Sequence, residues 1–524
     1  MVFLFCFTRS LFVVLVLAVL LATAQAENNV SCKVRPGKSS NLSIDSRRVC
    51  IDGDPAAAPE GEAIRLIGYG GITEITQQDR WGGDADCTSS CDPDANSCSS
   101  PVMARTLATR QVDTASPKSG ANLTRVFALG GSCNAGFSAA NRTCRGVGSR
   151  PEIMPFERLA NGKFNVQFVN NSDPGVDGNL NKCWEARFRY YIKEAERNGI
   201  IVIVSLFDEN TMTGIGNNTW FNNPWNPLNN NMGDILPTTR SGLPAFYNVC
   251  ANMGSHTGSA DKCEDRALNK LGRIQKKYVT KIVEAVQKSG ARNVMFEVMN
   301  QARIEDYDAD GSHADAVVLA AWHNTVANWF TDYLWVASVK KGQNQDMRRL
   351  LRECRSNTNC KDSNPTRTNG NGNPLLVFWR NGIDIIKPHF SIWAGQDQSG
   401  DICQVTDELF RFRKPVIMDN DGAPRDLSND NDVVSTWAKN LCGQTFGSIH
   451  FYHTKDGSKL QGKIAPACEQ PDTVYVDCIA LDSLANNAVV SGTNQYVGPT
   501  QLCGKIASGV ACPPKSKYCE QCQD

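Results

Sequence analysis

The residues able to do chemistry gather where short apolar runs give out. Ile200-Ile-Val-Ile-Val-Ser-Leu-Phe207 leads into Asp208 and Glu209, and Asn293-Val-Met-Phe-Glu-Val298 leads into Asn300 and Gln301. Pro415-Val-Ile-Met418 is followed by Asp419, Asn420 and Asp421, and the run Gly447 to Phe451 carries His450. Two carboxyl groups facing each other can divide the work of acid, base and nucleophile. Asn300, Gln301 and Asn420 cannot share it: a side-chain amide has no titratable proton near neutral pH and a weakly nucleophilic oxygen, so it offers hydrogen bonds only. The chain shows no Ser-His-Asp arrangement, no Gly-rich phosphate loop and no His/Cys metal cluster. Asp306-Tyr-Asp308-Ala-Asp310-Gly311 spaces its oxygens as a Ca²⁺ loop does but lacks the closing bidentate Glu, so it reads as a solvated loop. Neither a metal nor a cofactor is expected.

The elements that must position these residues follow from periodicity. Eight apolar runs alternate with amphipathic stretches, the pattern of a parallel α/β fold. In order they are Ala63–Tyr69, Leu123–Leu129, Ile200–Phe207, Asn293–Val298, Leu375–Phe378, Ile383–Ile386, Pro415–Met418 and Gly447–Phe451. Several are apolar without interruption, as strands buried on both faces of a barrel wall must be. Helices are expected over Trp184–Asn198, Ala267–Ser289 and Ala314–Val339, the first two closed by Gly199 and Gly290. The expected fold is a (β/α)₈ TIM barrel with long, Cys-rich loop insertions at 70–122, 130–180, 208–265 and 340–373, mostly after strand C-terminal ends. Periodicity fades at 466–524, which reads as a small Cys-rich C-terminal extension. The division is then 1–26 as a leader, 27–62 as a lead-in segment, 63–465 as the barrel and 466–524 as the extension.

Composition limits the partners. The 54 Lys and Arg balance 54 Asp and Glu without charge runs, which argues against nucleic acid or an anionic membrane. Arg9, the apolar run Leu11–Leu21 and the small residues of Ala22-Thr-Ala-Gln-Ala26 have the order of a cleaved secretory signal, and no later segment reaches membrane-spanning length. Of 21 Cys, Cys6 lies in that leader, leaving an even 20 that read as disulfides in an oxidising compartment. N-glycosylation sequons begin at Asn29, Asn41, Asn122, Asn141, Asn170 and Asn217. A secreted, extracellular glycoprotein is expected.

An ordered set of landmarks resembles the clan A glycoside hydrolases, specifically the family 5-like (cellulase-type) barrels. Arg125 in the second strand matches the clan's active-site arginine. Trp220-Phe-Asn-Asn-Pro-Trp-Asn-Pro-Leu-Asn-Asn-Asn231 resembles an aromatic/Asn-Pro loop after the third strand, and Lys387-Pro-His389 resembles the histidine that lines the catalytic floor. The landmarks span residues 48–453. In that clan the fourth strand ends Asn-Glu, the Glu being the acid/base; here Asn300 is followed by Gln301. The seventh strand carries the nucleophilic Glu in a motif like this chain's Lys414-Pro-Val-Ile-Met-Asp-Asn420-Asp421-Gly422, where the position is Asn420. The resemblance thus implies a glycosidase framework with an amide at each catalytic position.

Three readings follow. The first is a catalytically impaired glycoside-hydrolase-like protein that binds a polysaccharide or glycan, with Arg125, Asn300, His389, Trp225, Trp393 and His450 as contacts. The second is an active retaining O-glycosidase on a β-linked polysaccharide that uses displaced carboxylates such as Glu209, Asp419 or Asp421. The third is an extracellular structural or adhesive protein with the barrel as scaffold. Strand alternation turns Asp419 and Asp421 away from the face of Asn420, unless the register slips by one residue. It also puts Glu297 on the face of Gln301 but about 13 Å deeper.

Overall fold

The computed structural model describes residues 123–129, 154–212, 220–250, 263–304, 316–341, 374–390, 409–420 and 447–450, with gaps of a few residues, and the strand backbones between 32 and 70. The first four strands are β1 (Cys32–Lys33), β2 (Leu42–Asp45), β3 (Arg48–Ile51) and β4 (Glu60–Ile64), an antiparallel sheet in the order β1-β4-β3-β2. The lead-in is therefore a small sheet, and β4 takes the first two residues of the expected strand at 63–69. The leader, the C-terminal extension and the sequons other than Asn170 lie outside the described residues.

The second sheet holds nine strands. They are β5 (Leu66–Gly70), β6 (Leu123–Phe127), β7 (Ile201–Asp208), β8 (Val294–Asn300), β9 (Ala302–Ile304), β10 (Trp335–Lys341), β11 (Ile385–Phe390), β12 (Ile417–Asn420) and β13 (Gly447–His450). Their order is β11-β12-β13-β5-β6-β7-β8-β10-β9, every pairing is parallel, and a further parallel pairing of β10 with β11 joins the body of the sheet to its first strand. Among the described residues no helix is long and apolar enough to cross a membrane.

Alternation sorts the strand residues into two faces. Thr124, Val126, Val202, Val204, Val294, Phe296, Trp335, Ala337, Ile386 and Val416 face the helices; all but Thr124 belong to one apolar core, and Thr124 Oγ1 meets the Tyr191 hydroxyl at 3.0 Å. Leu123, Ile201, Ile203, Met295, Val336, Ile385 and Ile417 are equally buried but stand apart from that core, on the opposite face. A sheet buried on both sides explains the unbroken apolar runs of the sequence.

Among the described residues the α-helices are α1 (Lys182–Arg197), α2 (Glu209–Met212), α3 (Leu243–Tyr247), α4 (Lys270–Ser289) and α5 (Ala316–Ala327). At the start of α4 the Asn269 side chain accepts from Gly272 N at 2.9 Å. The expected terminator Gly290 is left-handed at φ 67°, and its N–H returns to the Gln287 carbonyl. One disulfide, Cys250–Cys263, bridges the loop from α3 to α4, and Cys183 on α1 is also disulfide-bonded.

Two expected elements are corrected. The helix expected over 314–339 stops at Ala327, and Trp335–Lys341 is a strand. Trp322, Trp329 and Trp335 imitate a helical repeat, but Asn328 folds back on the Asn324 carbonyl at 2.6 Å and a turn follows. The strand expected at Leu375–Phe378 is a 3₁₀ helix, Pro374–Trp379, with proline at its first position. A four-residue apolar run fits either form, and packing against α5 decides it.

Within the helical layer, Trp225 packs edge-on against Phe156, Phe207, Phe246 and Tyr278, at centroid distances of 5.3–5.9 Å. His323, on α5, is buried beside Trp322, and its Nδ1 lies 3.0 Å from the Leu319 carbonyl. Burial lowers its pKa to about 4, the carbonyl contact opposing the shift. Between the unfolded pKa of about 6.5 and that value, the unfolded chain binds the extra proton, so this stabilisation is complete above the window and is lost as pH falls through it. The unfolding free energy should decline toward acid by up to about 1.4 kcal/mol per pH unit from this group. Urea denaturation of the parent and a His323→Gln variant between about pH 4.5 and 7 checks it, since the variant should lack that part of the slope.

Candidate functional site

Four charged side chains meet on the inner face of the nine-stranded sheet. Arg125 is at the centre of β6, Glu297 in β8, Lys387 in β11 and Asp419 in β12, and each is fully buried. Arg125 Nη1 donates to Asp419 Oδ2 at 2.7 Å and to Asn300 Oδ1 at 2.8 Å, and lies 4.0 Å from Glu297 Oε2. Lys387 Nζ pairs with Glu297 Oε1 at 2.8 Å and donates to Asp419 Oδ2. The Arg125 guanidinium also sits 5.2 Å from the centroid of Phe127. Two cations and two carboxylates make the group formally neutral, the condition under which so many charges can leave water together.

Asn300 extends the network to a third carboxylate. Its Oδ1 accepts from Arg125, and its Nδ2 donates to Asp208 Oδ1 at 3.1 Å. The orientation of the amide is forced: rotated by half a turn, N–H would face a guanidinium that cannot accept, and oxygen would face a carboxylate.

Strict alternation cannot put Glu297 and Asn300 on the same arginine, because they are three residues apart. In β8 both Val298 and Met299 face the helical core, and in the paired strand both Leu206 and Phe207 do. The alternation therefore slips by one residue in both strands, at the level where Phe207 pairs with Met299 and Asp208 with Asn300. The slip carries Asp208 and Asn300 inward at the C-terminal strand ends.

The residues singled out in the sequence are distributed as follows. Gln301 follows β8, is 2 % exposed, has a left-handed backbone at φ 54°, and donates its N–H to Ser338 Oγ at 3.2 Å. Asn420 ends β12, paired with Phe390 and His450, and His389 pairs with Asp419. The side chains of Asn420, His389 and His450, and all of Asp421 and Trp393, lie outside the described residues. Asp419 does not turn away as alternation counted from Asn420 required; it is on the inner face because Arg125 and Lys387 hold it there. Glu297, expected on the face of Gln301 but deeper, belongs to the buried ionic cluster, where Lys387, on the far side of β10, reaches both carboxylates. Glu209 opens α2 and is fully buried.

Trp225 is not a sugar platform: it is fully buried in the aromatic core, and a sugar can stack only on an exposed ring. Asn226, Asn229 and Asn230 donate their amide N–H groups to carbonyls of the same loop and Asn223 donates to Thr211 on α2, which together hold the tryptophan inward. Sequence reasoning missed Lys387 and Ser338. A lysine directly after Ile385-Ile386 in a strand was the available signal for the first. The misassigned fifth strand hid the second. Among the described residues no group of three or more His, Cys, Asp or Glu side chains is placed to hold a metal ion.

No protein-family model matches the chain, and no curated protein matches it in sequence. Among solved structures, the β-mannanase of the blue mussel Mytilus edulis is similar over 87 % of this chain and 99 % of its own, at 11 % identity and TM-score 0.43. An endo-1,4-β-mannanase from Rhizomucor miehei is similar over 78 % and 90 %, at 12 % identity and TM-score 0.40. An endocellulase from Pyrococcus horikoshii gives 81 % and 93 %, at 10 % identity and TM-score 0.39. At these values the likeness assigns neither an activity nor a substrate.

Removing one member of a buried ion pair leaves an uncompensated charge, at a cost of about 3–5 kcal/mol. Lys387→Met should lower the unfolding free energy by about that amount, and adding Glu297→Gln should recover part of the loss. Chemical denaturation of Lys387→Met, Glu297→Gln and the double variant beside the parent measures the coupling; a Lys387→Met cost below about 1 kcal/mol would show that the charges are not mutually dependent.

Proposed function

We propose that the chain is a secreted, glycoside-hydrolase-like (β/α)₈ barrel that binds carbohydrate and has lost ordinary retaining hydrolysis. The observation that carries this reading is the enclosure of Asp419 and Glu297 by Arg125 and Lys387, all four side chains fully buried. The cycle of parallel pairings through β5, β6, β7, β8, β10, β11, β12 and β13 supports a closed barrel. In such a barrel the strand C-terminal ends, where Asp208, Asn300 and Asp419 meet, are where sites are built.

Retaining hydrolysis needs a protonated carboxyl to release the leaving oxygen and a carboxylate free to attack the anomeric carbon, the two roughly 5–5.5 Å apart. Two carboxylates held by the same lysine and arginine are near each other, yet both are occupied as counter-ions and neither reaches solvent. Glu209, the other displaced candidate, is buried too. With Gln301 and Asn420 at the positions where the resemblance places the catalytic acids, each lost role lowers the rate by about 10²–10⁴. Side-chain amides keep their donors and acceptors, and a neutral sugar needs nothing more to be held.

The test is reducing-end release by the purified secreted protein from β-glucans, mannans, xylans and chitin, with retention on each polymer measured alongside. Retention on one polymer without release is the expected result. On that polymer Gln301→Glu with Asn420→Glu should gain measurable release. Hydrolysis by the parent that vanishes in Asp419→Asn or Glu209→Gln would overturn the reading and identify a displaced catalytic carboxylate.

A further inference from the structure

Residues 154–181 form a strap across α4. Its bridges pair Phe156 with Leu180, Arg158 with Phe164 and Val169 with Asp177. Asp177 reaches Lys277 on α4 at 2.5 Å, and Lys277 Nζ also donates to the Gln167 carbonyl at 3.1 Å. Asn165 grips Val169 from both sides, its Nδ2 donating to the Val169 carbonyl at 2.8 Å and its Oδ1 accepting from Val169 N at 3.0 Å. The excursion 169–177 therefore leaves the strap from a fixed base.

The first residue of that excursion after the base is Asn170, which opens the sequon Asn170-Asn-Ser172. Its side-chain oxygen accepts from Ser172 N at 3.0 Å and Asp173 N at 3.2 Å, while its Nδ2 donates to no atom among the described residues. The asparagines around it behave differently. Asn165, Asn223, Asn226, Asn229, Asn230 and Asn231 all spend Nδ2 hydrogens on protein acceptors. The oxygen of the half-buried Asn170 amide is held by the chain while its nitrogen is not, Ser172 is exposed beside it, and so are Val169 at 43 % and Val176 at 54 %.

We propose that Asn170 is an N-glycosylation site whose glycan stands over the exposed Val169 and Val176. The inference rests on the secreted reading, since the donor, a polyprenyl-pyrophosphate-linked oligosaccharide, is met only in the secretory route. In the transfer, Nδ2 bonds the anomeric carbon of the first sugar and gives up a proton to a base of the transferring enzyme; the bond from that carbon to the lipid pyrophosphate breaks, and the pyrophosphate leaves with the electron pair. Asn170, the one sequon asparagine among the described residues, combines an amide nitrogen that donates to no described atom, an exposed serine two residues on, and a base held by Asn165 that keeps a bulky substituent away from the core.

The test expresses the full chain in a eukaryotic secretory host and follows the peptide containing Asn170 by mass spectrometry, before and after enzymatic removal of N-glycans. Occupied Asn170 in secreted protein, lost in Ser172→Ala and kept in Ser172→Thr, is the expected result. Ser172→Ala deletes only the hydroxyl; the backbone N–H that Asn170 accepts remains, so the turn and folding should survive. Secreted protein with bare Asn170 would overturn the site while leaving the secreted reading intact. Protein retained in the cytosol with every sequon bare would overturn both.

Discussion

The pairing of buried charges at the centre of the nine-stranded sheet is the condition that the rest of the arrangement obeys. Arg125, Lys387, Glu297 and Asp419 come from four different strands, so the strands must hold a register that keeps them within reach of one another. An apolar inner face of Leu123, Ile201, Ile203, Met295, Val336, Ile385 and Ile417 lies on the same side of the sheet and excludes water. Exclusion of water makes each pair stronger and each unpaired charge more costly. The same feature that defines the inner face thus ties its carboxylates to the two cations.

Six of the eight expected apolar runs overlap strands of the large sheet at nearly the expected places, because apolar continuity and Gly-terminated helices are local signals. A seventh, 63–69, is divided between two sheets. The failures have physical causes too. Tryptophans at 322, 329 and 335 share a spacing that a helix and a helix–turn–strand both satisfy, and only the Asn328 back-bond and the tertiary pairing separate them. Leu375–Phe378 is apolar in either conformation.

The site was legible as a set of strand ends but not as a set of partners. Arg125 and Asn300 were readable and do meet. The inward turn of Asp419 and the common reach of Glu297 and Asn300 to one guanidinium were not, because both depend on registers that alternation alone does not fix. The slip at Leu206/Phe207 and Val298/Met299 leaves no mark in the sequence beyond two adjacent apolar residues. Lys387 stood in plain view within an apolar strand, where a cation requires a buried counter-charge. Trp225 shows the opposite error, an aromatic in a polar loop that the loop's own asparagines fold into the core.

The forced amide of Asn300 and the four balanced charges around it have an evolutionary consequence. A single substitution that changes charge at 125, 297, 387 or 419 passes through an unstable intermediate, so drift at these positions must proceed by compensated pairs. Descendants of this chain should show the four positions varying together or not at all. Freeing Glu297 or Asp419 for other work would likewise require the lysine and arginine that hold them to be released in step, so a new role for either carboxylate lies more than one substitution away.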